Sequence, residues 1–294
     1  MTPSELTLPR DGLSLSARRF GDPAAPPVVL VHGFPDTPHS WDEVARLLVA
    51  AGYQVVAPWL RGYTIGSHDR DADYDVLTAA EDIAAWQVHL GAGPAHLVGH
   101  DWGAIAAVLL AKTTPAQWRS VSTLAVPPMG GSAGLRAALP YLPRQTAMSS
   151  YMGLMQSAAA PRLLARSDAA LVRAIWARWS PGWAITEDSF APVRAVFTDP
   201  DLGWSATRYY RALFSPHRPR TREMYRVMSA PTGDLPALAL FGADDGCVHP
   251  GLQRALAAGV GVESVTVPRS GHFLHAERPG AVAEHLLRHF RSVD

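Results

Sequence analysis

Five residues, Gly99-His100-Asp101-Trp102-Gly103, constrain this chain more than any other feature. They follow the apolar run Ala95-His96-Leu97-Val98 and precede Ala104-Ile105-Ala106-Ala107-Val108-Leu109-Leu110-Ala111. The order predicts a buried strand, a tight turn and a buried helix, the setting of the G-x-S-x-G nucleophile elbow with aspartate in the serine position. Flanking glycines let strand and helix pack closely, while the central residue sits in a strained turn with its side chain displayed. Serine there suits attack on an acyl carbonyl. A carboxylate suits displacement at a saturated carbon, which leaves an ester on the protein. The plainer alternative is that Asp101 caps the helix, a common use of Asp ahead of an apolar helix.

Three other segments bear on that choice. Val28-Val29-Leu30-Val31 reads as a buried parallel strand that leaves through His32-Gly33-Phe34-Pro35-Asp36. A loop there can aim the Phe34 N–H at a developing oxyanion, with the Trp102 N–H at the helix start as second donor. Its plain alternative is an ordinary turn, with His32 satisfied by backbone groups. Ala237-Leu238-Ala239-Leu240-Phe241 is a second buried strand, ending in Gly242-Ala243-Asp244-Asp245. An acid at a strand's carboxyl end can orient a histidine and stabilise its imidazolium. Asp245 is the choice, and Asp244 is expected to face solvent or cap a turn. Val265-Thr266-Val267 is a short strand leading to Ser270-Gly271-His272. Histidine suits proton transfer near neutrality. Among the twelve histidines, His272 stands out because Gly271 precedes it and a helix follows, roughly Pro279 to Arg291. The nearby His275 is expected to pack or face solvent. Nucleophile, acid and histidine thus follow one another in chain order, each at a strand end.

Elsewhere the chain alternates strands with helices. Expected elements are a strand pair near Glu5–Leu8 and Ser14–Phe20, a helix over Ser40–Ala51, a strand at Gln54–Ala57 stopped by Pro58, and a helix over Leu77–Leu90. Such alternation implies an α/β fold with a mostly parallel sheet covered on both faces. It breaks after Ser122–Val126, where Pro127-Pro128 and Gly130-Gly131 end a strand, and resumes at Ala237. The interval reads helical, at Tyr151–Gln156, Asp168–Trp179, Thr186–Thr198 and Ser205–Phe214. Residues 1–126 and 230–294 are therefore taken as the core, and 127–229 as an inserted helical cap domain. The cap's tryptophans and methionines, Trp176, Trp179, Met152 and Met155 among them, read as core and core–cap contacts, a subset lining an apolar pocket.

Composition excludes several functions. The formal net charge is zero, without a basic stripe, which argues against nucleic acid as a partner. No apolar run reaches the length of a membrane span, and the first residues carry no visible signal peptide, so the cytoplasm is the expected location. The one cysteine, Cys247, rules out an intrachain disulfide and is expected to be buried packing.

With His32-Gly33-Phe34-Pro35, Leu60-Arg61-Gly62-Tyr63, Gly99-His100-Asp101-Trp102-Gly103 and Gly271-His272-Phe273 in view, the chain resembles the α/β-hydrolase superfamily over nearly its whole length. Within it the resemblance is to the aspartate-nucleophile epoxide hydrolases. That resemblance implies an α/β-hydrolase fold, and an epoxide opened to a vicinal diol through an ester on Asp101. His272, oriented by Asp245, would activate the water that frees it, with Phe34 and Trp102 N–H groups as oxyanion hole. It also implies two lid tyrosines on the epoxide oxygen. Ser150-Tyr151-Met152 resembles the segment of the first, and Tyr209-Tyr210-Arg211 that of the second, with Tyr210 the match and Tyr209 its rival. Arg208 and Gly153 depart from the family pattern. No metal or organic cofactor is implied. The partners are a small, apolar epoxide and water, and the chain would be a monomer or homodimer. Two alternatives stand. One is a dehalogenase with the same nucleophile, for which the Trp102 indole offers a halide donor but Phe34 offers none. The other is a non-catalytic hydrolase-fold receptor.

Overall fold

A computed structural model describes residues 2–128, 132–231 and 233–294. Gly130 and Gly131, expected to help end a strand, lie outside the described residues. The described residues form one eight-stranded sheet: β1 (Ser4–Arg10), β2 (Leu13–Phe20), β3 (Pro27–Val31), β4 (Gln54–Pro58), β5 (Ala95–His100), β6 (Trp118–Leu124), β7 (Ala237–Gly242) and β8 (Glu263–Val267), in the order β1-β2-β4-β3-β5-β6-β7-β8. β1 and β2 pair antiparallel, β2 joins β4 antiparallel, and all later pairings are parallel.

The central strands are buried on both faces because their residues alternate between two cores. Val28 and Leu30 of β3 pack with Trp41, Val44 and Leu48 on one side. Val29 and Val31 pack with Ala106, Ala107 and Leu110 on the other. Helices supply the covering layers: α1 (Asp42–Ala50) and α13 (Pro279–Arg291) pack together, while α2 (Val76–Leu90) and α3 (Trp102–Thr113) pack together. In α1 the buried residues Val44, Ala45 and Leu48 form one stripe, as helical periodicity requires.

Between β6 and β7 lie seven helices of the described residues: α4 (Ser132–Ala138), α5 (Leu142–Met148), α6 (Tyr151–Met155), α7 (Ala160–Trp179), α8 (Glu187–Thr198), α9 (Pro200–Leu213) and α10 (Pro219–Ser229). α7, α8 and α9 pack on one another. The two ends of this block lie on helices of the sheet layers, α10 against α2 and α3, and α4 against α11 (Pro250–Gly259). α7 is broken at Arg166–Ala169, where Ser167, Asp168 and Ala169 take positive φ. A short helix, α12 (Leu274–Glu277), precedes α13. Among the described residues, no helix is long and apolar enough to cross a membrane.

Candidate active site

Parallel strands deliver the candidate side chains to one edge of the sheet. β5 ends at His100, and Asp101 turns sharply into α3 with φ 52° and ψ −113°. A non-glycine residue in that region stores about 1–3 kcal/mol, which the surrounding packing must hold. The holding is visible at the neighbouring glycine: a Cβ on Gly103 would lie 2.4 Å from the Val31 carbonyl oxygen. Only a residue without a side chain lets α3 start this close to β3.

Asp101 occupies the N-cap position but makes no side-chain cap. Its Oδ1 accepts the Phe34 N–H at 2.8 Å, and its Oδ2 faces His272 Nε2 at 3.6 Å. The Trp102 amide opens α3 beside it, and first-turn amides have no partner within their own helix. The carboxylate keeps 10 % exposure, whereas the Asp245 side chain has none. Of the two, Asp101 is the one a small molecule can reach.

Asp245 is fixed from several sides. Oδ1 accepts N–H bonds from Cys247 at 2.7 Å and Val248 at 2.9 Å, and Oδ2 accepts one from Gln253 at 2.8 Å. Both oxygens lie close to His272 Nδ1, at 3.2 and 3.1 Å. Asp244, one residue earlier, is exposed. His272 is wholly buried between two carboxylates. Burial opposes its charge, but Asp245 and Asp101 outweigh it and raise its pKa to about 10. Asp101 shows the reciprocal effect: burial pushes its carboxyl up, and the His272 imidazolium leaves it below the usual range.

Over this pair lie aromatic rings from the helical block. Tyr210, on α9, has its ring 5.0 Å from Phe34 and 4.8 Å from Trp102, and 5.8 Å from Tyr151 at the start of α6. Among the described residues the buried Tyr210 hydroxyl makes no hydrogen bond of ordinary geometry and interacts with the Tyr151 hydroxyl. Its neighbour Tyr209 is committed elsewhere, donating to the Arg61 carbonyl at 2.9 Å. Tyr151 Oη lies 3.7 Å from the Cys247 thiol. Burial, with the Asp101 charge among the further causes, pushes both Tyr151 and Tyr210 well above the usual phenol range. Two neutral phenols thus stand near an ionised carboxylate.

Sequence reasoning missed the end of α7. The Trp179 carbonyl accepts N–H bonds from Gly246 and from His272, each at 3.0 Å. The Trp176 indole donates to the Pro35 carbonyl at 2.7 Å. One helix end therefore touches the loops that carry Phe34, Asp245 and His272. The indoles were legible as core–cap packing, but a carbonyl acceptor has no residue signature.

A second group lies beside the first. His100 Nδ1 and His275 Nε2 approach Asp36 Oδ2 at 3.8 and 3.4 Å, and Ser40 bridges Asp36 and His275 at 2.8 and 3.0 Å. The Asp36, His100 and His275 donor atoms fall within 4.8 Å of one another, the one grouping among the described residues able to hold a metal ion. His275 is fully buried, packed at a tilt against Trp41 with ring centres 4.1 Å apart. His32 is satisfied by backbone, bonding the Gly33 carbonyl at 2.9 Å and the Leu60 N–H at 3.0 Å.

Comparison with known proteins places these features in context. Residues 28–285 match the alpha/beta hydrolase family. An epoxide hydrolase of Caballeronia sordidicola is 28% identical over 99% of this chain and 94% of its own length. The structure of epoxide hydrolase A from Mycobacterium thermoresistibile superposes with a TM-score of 0.78 at 27% identity, covering 100% of this chain and 99% of that one. An epoxide hydrolase from Vigna radiata shares the fold at a TM-score of 0.78 and 22% identity, over 99% of this chain and 98% of that one.

Proposed function

The chain belongs to the alpha/beta hydrolase family, and within it we propose that the protein is an epoxide hydrolase working through an ester on Asp101. The observation that carries this reading is an ionised elbow carboxylate with a carboxylate-backed histidine 3.6 Å from it and two buried tyrosine hydroxyls close enough to feel its charge. Its similarity to epoxide hydrolases along the whole chain supports the substrate class.

In the first step Asp101 Oδ2 attacks a ring carbon and the C–O bond of the epoxide breaks. Tyr151 and Tyr210 hydrogen-bond the leaving oxygen, which ends as a hydroxyl. General acid assistance of this kind is worth about 10²–10⁴-fold. The proton consumed is balanced by the one His272 gives up, because esterification removes the Asp101 charge that helped hold its imidazolium. In the second step neutral His272 takes a proton from water. The hydroxide oxygen adds to the Asp101 carbonyl carbon, with the Phe34 and Trp102 amides on the oxyanion. The ester C–O bond then breaks, the departing alkoxide takes the remaining water-derived proton, and a vicinal diol leaves. Asp101 is again ionised and His272 again charged, so the cycle closes. Residues 127–229 act as the cap that carries both tyrosines.

A single turnover of styrene oxide in heavy-oxygen water tests the reading. Label should enter the Asp101 peptide and be absent from the first diol. Label going straight into diol, with none in that peptide, would overturn it. The Trp102 indole N–H, buried without a partner among the described residues, favours dehalogenation as the second reading. Halide release from chloroalkanes without diol from epoxides would select it.

A further inference from the structure

The backbone around His272 is held in an unusual way. Three consecutive amides, those of Gly271, His272 and Phe273, are each engaged by groups from α12, the end of α7 and Ser180 just past it. Gly271 N–H reaches both Glu277 oxygens, at 2.9 and 3.0 Å. His272 N–H reaches the Trp179 carbonyl at 3.0 Å, and Phe273 N–H reaches Ser180 Oγ at 3.1 Å. Ser180 Oγ in turn donates to Glu277 Oε1 at 2.6 Å, closing a ring of bonds between the cap and the core. From the other side, the His272 carbonyl accepts His100 Nε2 at 3.0 Å. The fit is tight: a Cβ on Gly271 would lie 2.5 Å from Ser180 Cα. Ser180 is fully buried, so water cannot replace its hydroxyl.

We propose that Ser180 of the cap and Glu277 of the core are positioning residues for His272, fixing the amides on either side of it so that seating the end of α7 sets the reach of its Nε2. The assignment rests on the proposed function, in which His272 is the base for ester hydrolysis. Physics separates the two half-reactions. Alkylation needs the Asp101 carboxylate and the tyrosines, and it feels His272 mainly as a charge whose pull falls slowly with distance. Hydrolysis needs Nε2, a water and the ester carbonyl carbon in line, and a displacement near 1 Å costs up to about 10²-fold. A loosened His272 backbone should therefore slow hydrolysis far more than alkylation.

The experiment follows ester formation and decay separately, by rapid-quench mass spectrometry of the Asp101 peptide with styrene oxide. In Ser180→Ala the ester should form within about 3-fold of the normal rate, decay about 10-fold or more slower, and accumulate at steady state. Glu277→Gln should show the same asymmetry to a smaller degree, since the amide keeps an acceptor for Gly271. Ser180→Thr, which retains the hydroxyl, should restore decay. Equal slowing of both steps, or no change in either, would overturn the positioning role. If the unaltered protein forms diol with no ester on Asp101, the proposed function fails instead, and the assignment goes with it.

Discussion

Two groups of aspartate and histidine grow from adjacent residues of the elbow, Asp101 and His100, and they end in opposite states. In one, two carboxylates bracket a single imidazole, at 3.1 and 3.6 Å, and His272 is raised to about 10. In the other, one carboxylate serves two imidazoles at 3.4 and 3.8 Å. Burial lowers His275 to about 3, with the His272 charge adding to the effect, and drives His100 well below the ordinary value as well. Asp36 itself is pushed up to about 6 by burial, against the opposing pull of His32 and of its Ser40 and Thr37 donors. All three histidines are fully buried, so desolvation alone does not separate them. What separates them is charge: Asp245 and Asp101 raise His272, and the His272 charge in turn adds to the lowering of the other two. The same contrast recurs in two neighbours on α9, where Tyr209 has spent its hydroxyl on Arg61 and Tyr210 has not.

The largest test of that contrast is Asp101→Asn. It should abolish diol formation, by about 10³-fold or more. It should also drop the His272 titration below about 10 while leaving His100 and His275 neutral, read by NMR of the imidazole protons. An unmoved His272 titration would mean that Asp245 alone holds the charge. Next, His272→Gln should leave alkylation and slow ester hydrolysis by about 10²–10⁴-fold, so that the Asp101 adduct persists in the mass spectrum. Tyr210→Phe should slow alkylation about 10-fold or more. Tyr209→Phe should instead lower the unfolding free energy by about 1 kcal/mol, because its loss strands a buried carbonyl. If Tyr209→Phe gives the larger rate loss, the two have been assigned the wrong way round.

A separate effect is on stability against pH. His32 and His275, at about 4 and about 3, stay neutral in the fold while the unfolded chain takes up protons near 6.5. Their share of stability is complete above pH 6.5 and is lost as pH falls toward those values. His272 runs the other way, its share complete below 6.5 and lost as pH rises through about 10. Denaturant midpoints between pH 6.5 and about 4 should therefore decline, and His275→Gln should make that decline shallower.

Much of the architecture was legible because long apolar runs leave a chain few choices. β3, β5 and β7 fall where the runs predict, and the C-terminal helix begins at Pro279 and ends at Arg291 as expected. Asp101, Asp245 and His272 come together because each sits just past a strand or loop that ends at the same sheet edge. Helix boundaries within 127–229 were harder. α9 starts at Pro200 rather than Ser205, since Asp199 caps it through the Asp201 and Leu202 amides. The break in α7 has no proline or glycine to announce it. The sequence ranks Tyr210 above Tyr209 only by resemblance; both are buried, and in the structure the Tyr209 hydroxyl is the one committed to the Arg61 carbonyl. The Asp36–His100–His275 group was invisible for a different reason. Its members come from a loop, a strand end and a short helix with no sequence spacing in common.

The Phe34 amide, already seated on Asp101 Oδ1 before any substrate arrives, gives the two carboxylate oxygens separate careers. In the proposed cycle the anchored one would become the ester's carbonyl oxygen and survive each round, while the other would depart with the diol and be replaced from solvent. Over many cycles in isotopically enriched solvent, this aspartate should hold one foreign oxygen and keep one it was born with. Exchange of both would report that the carboxylate flips between rounds.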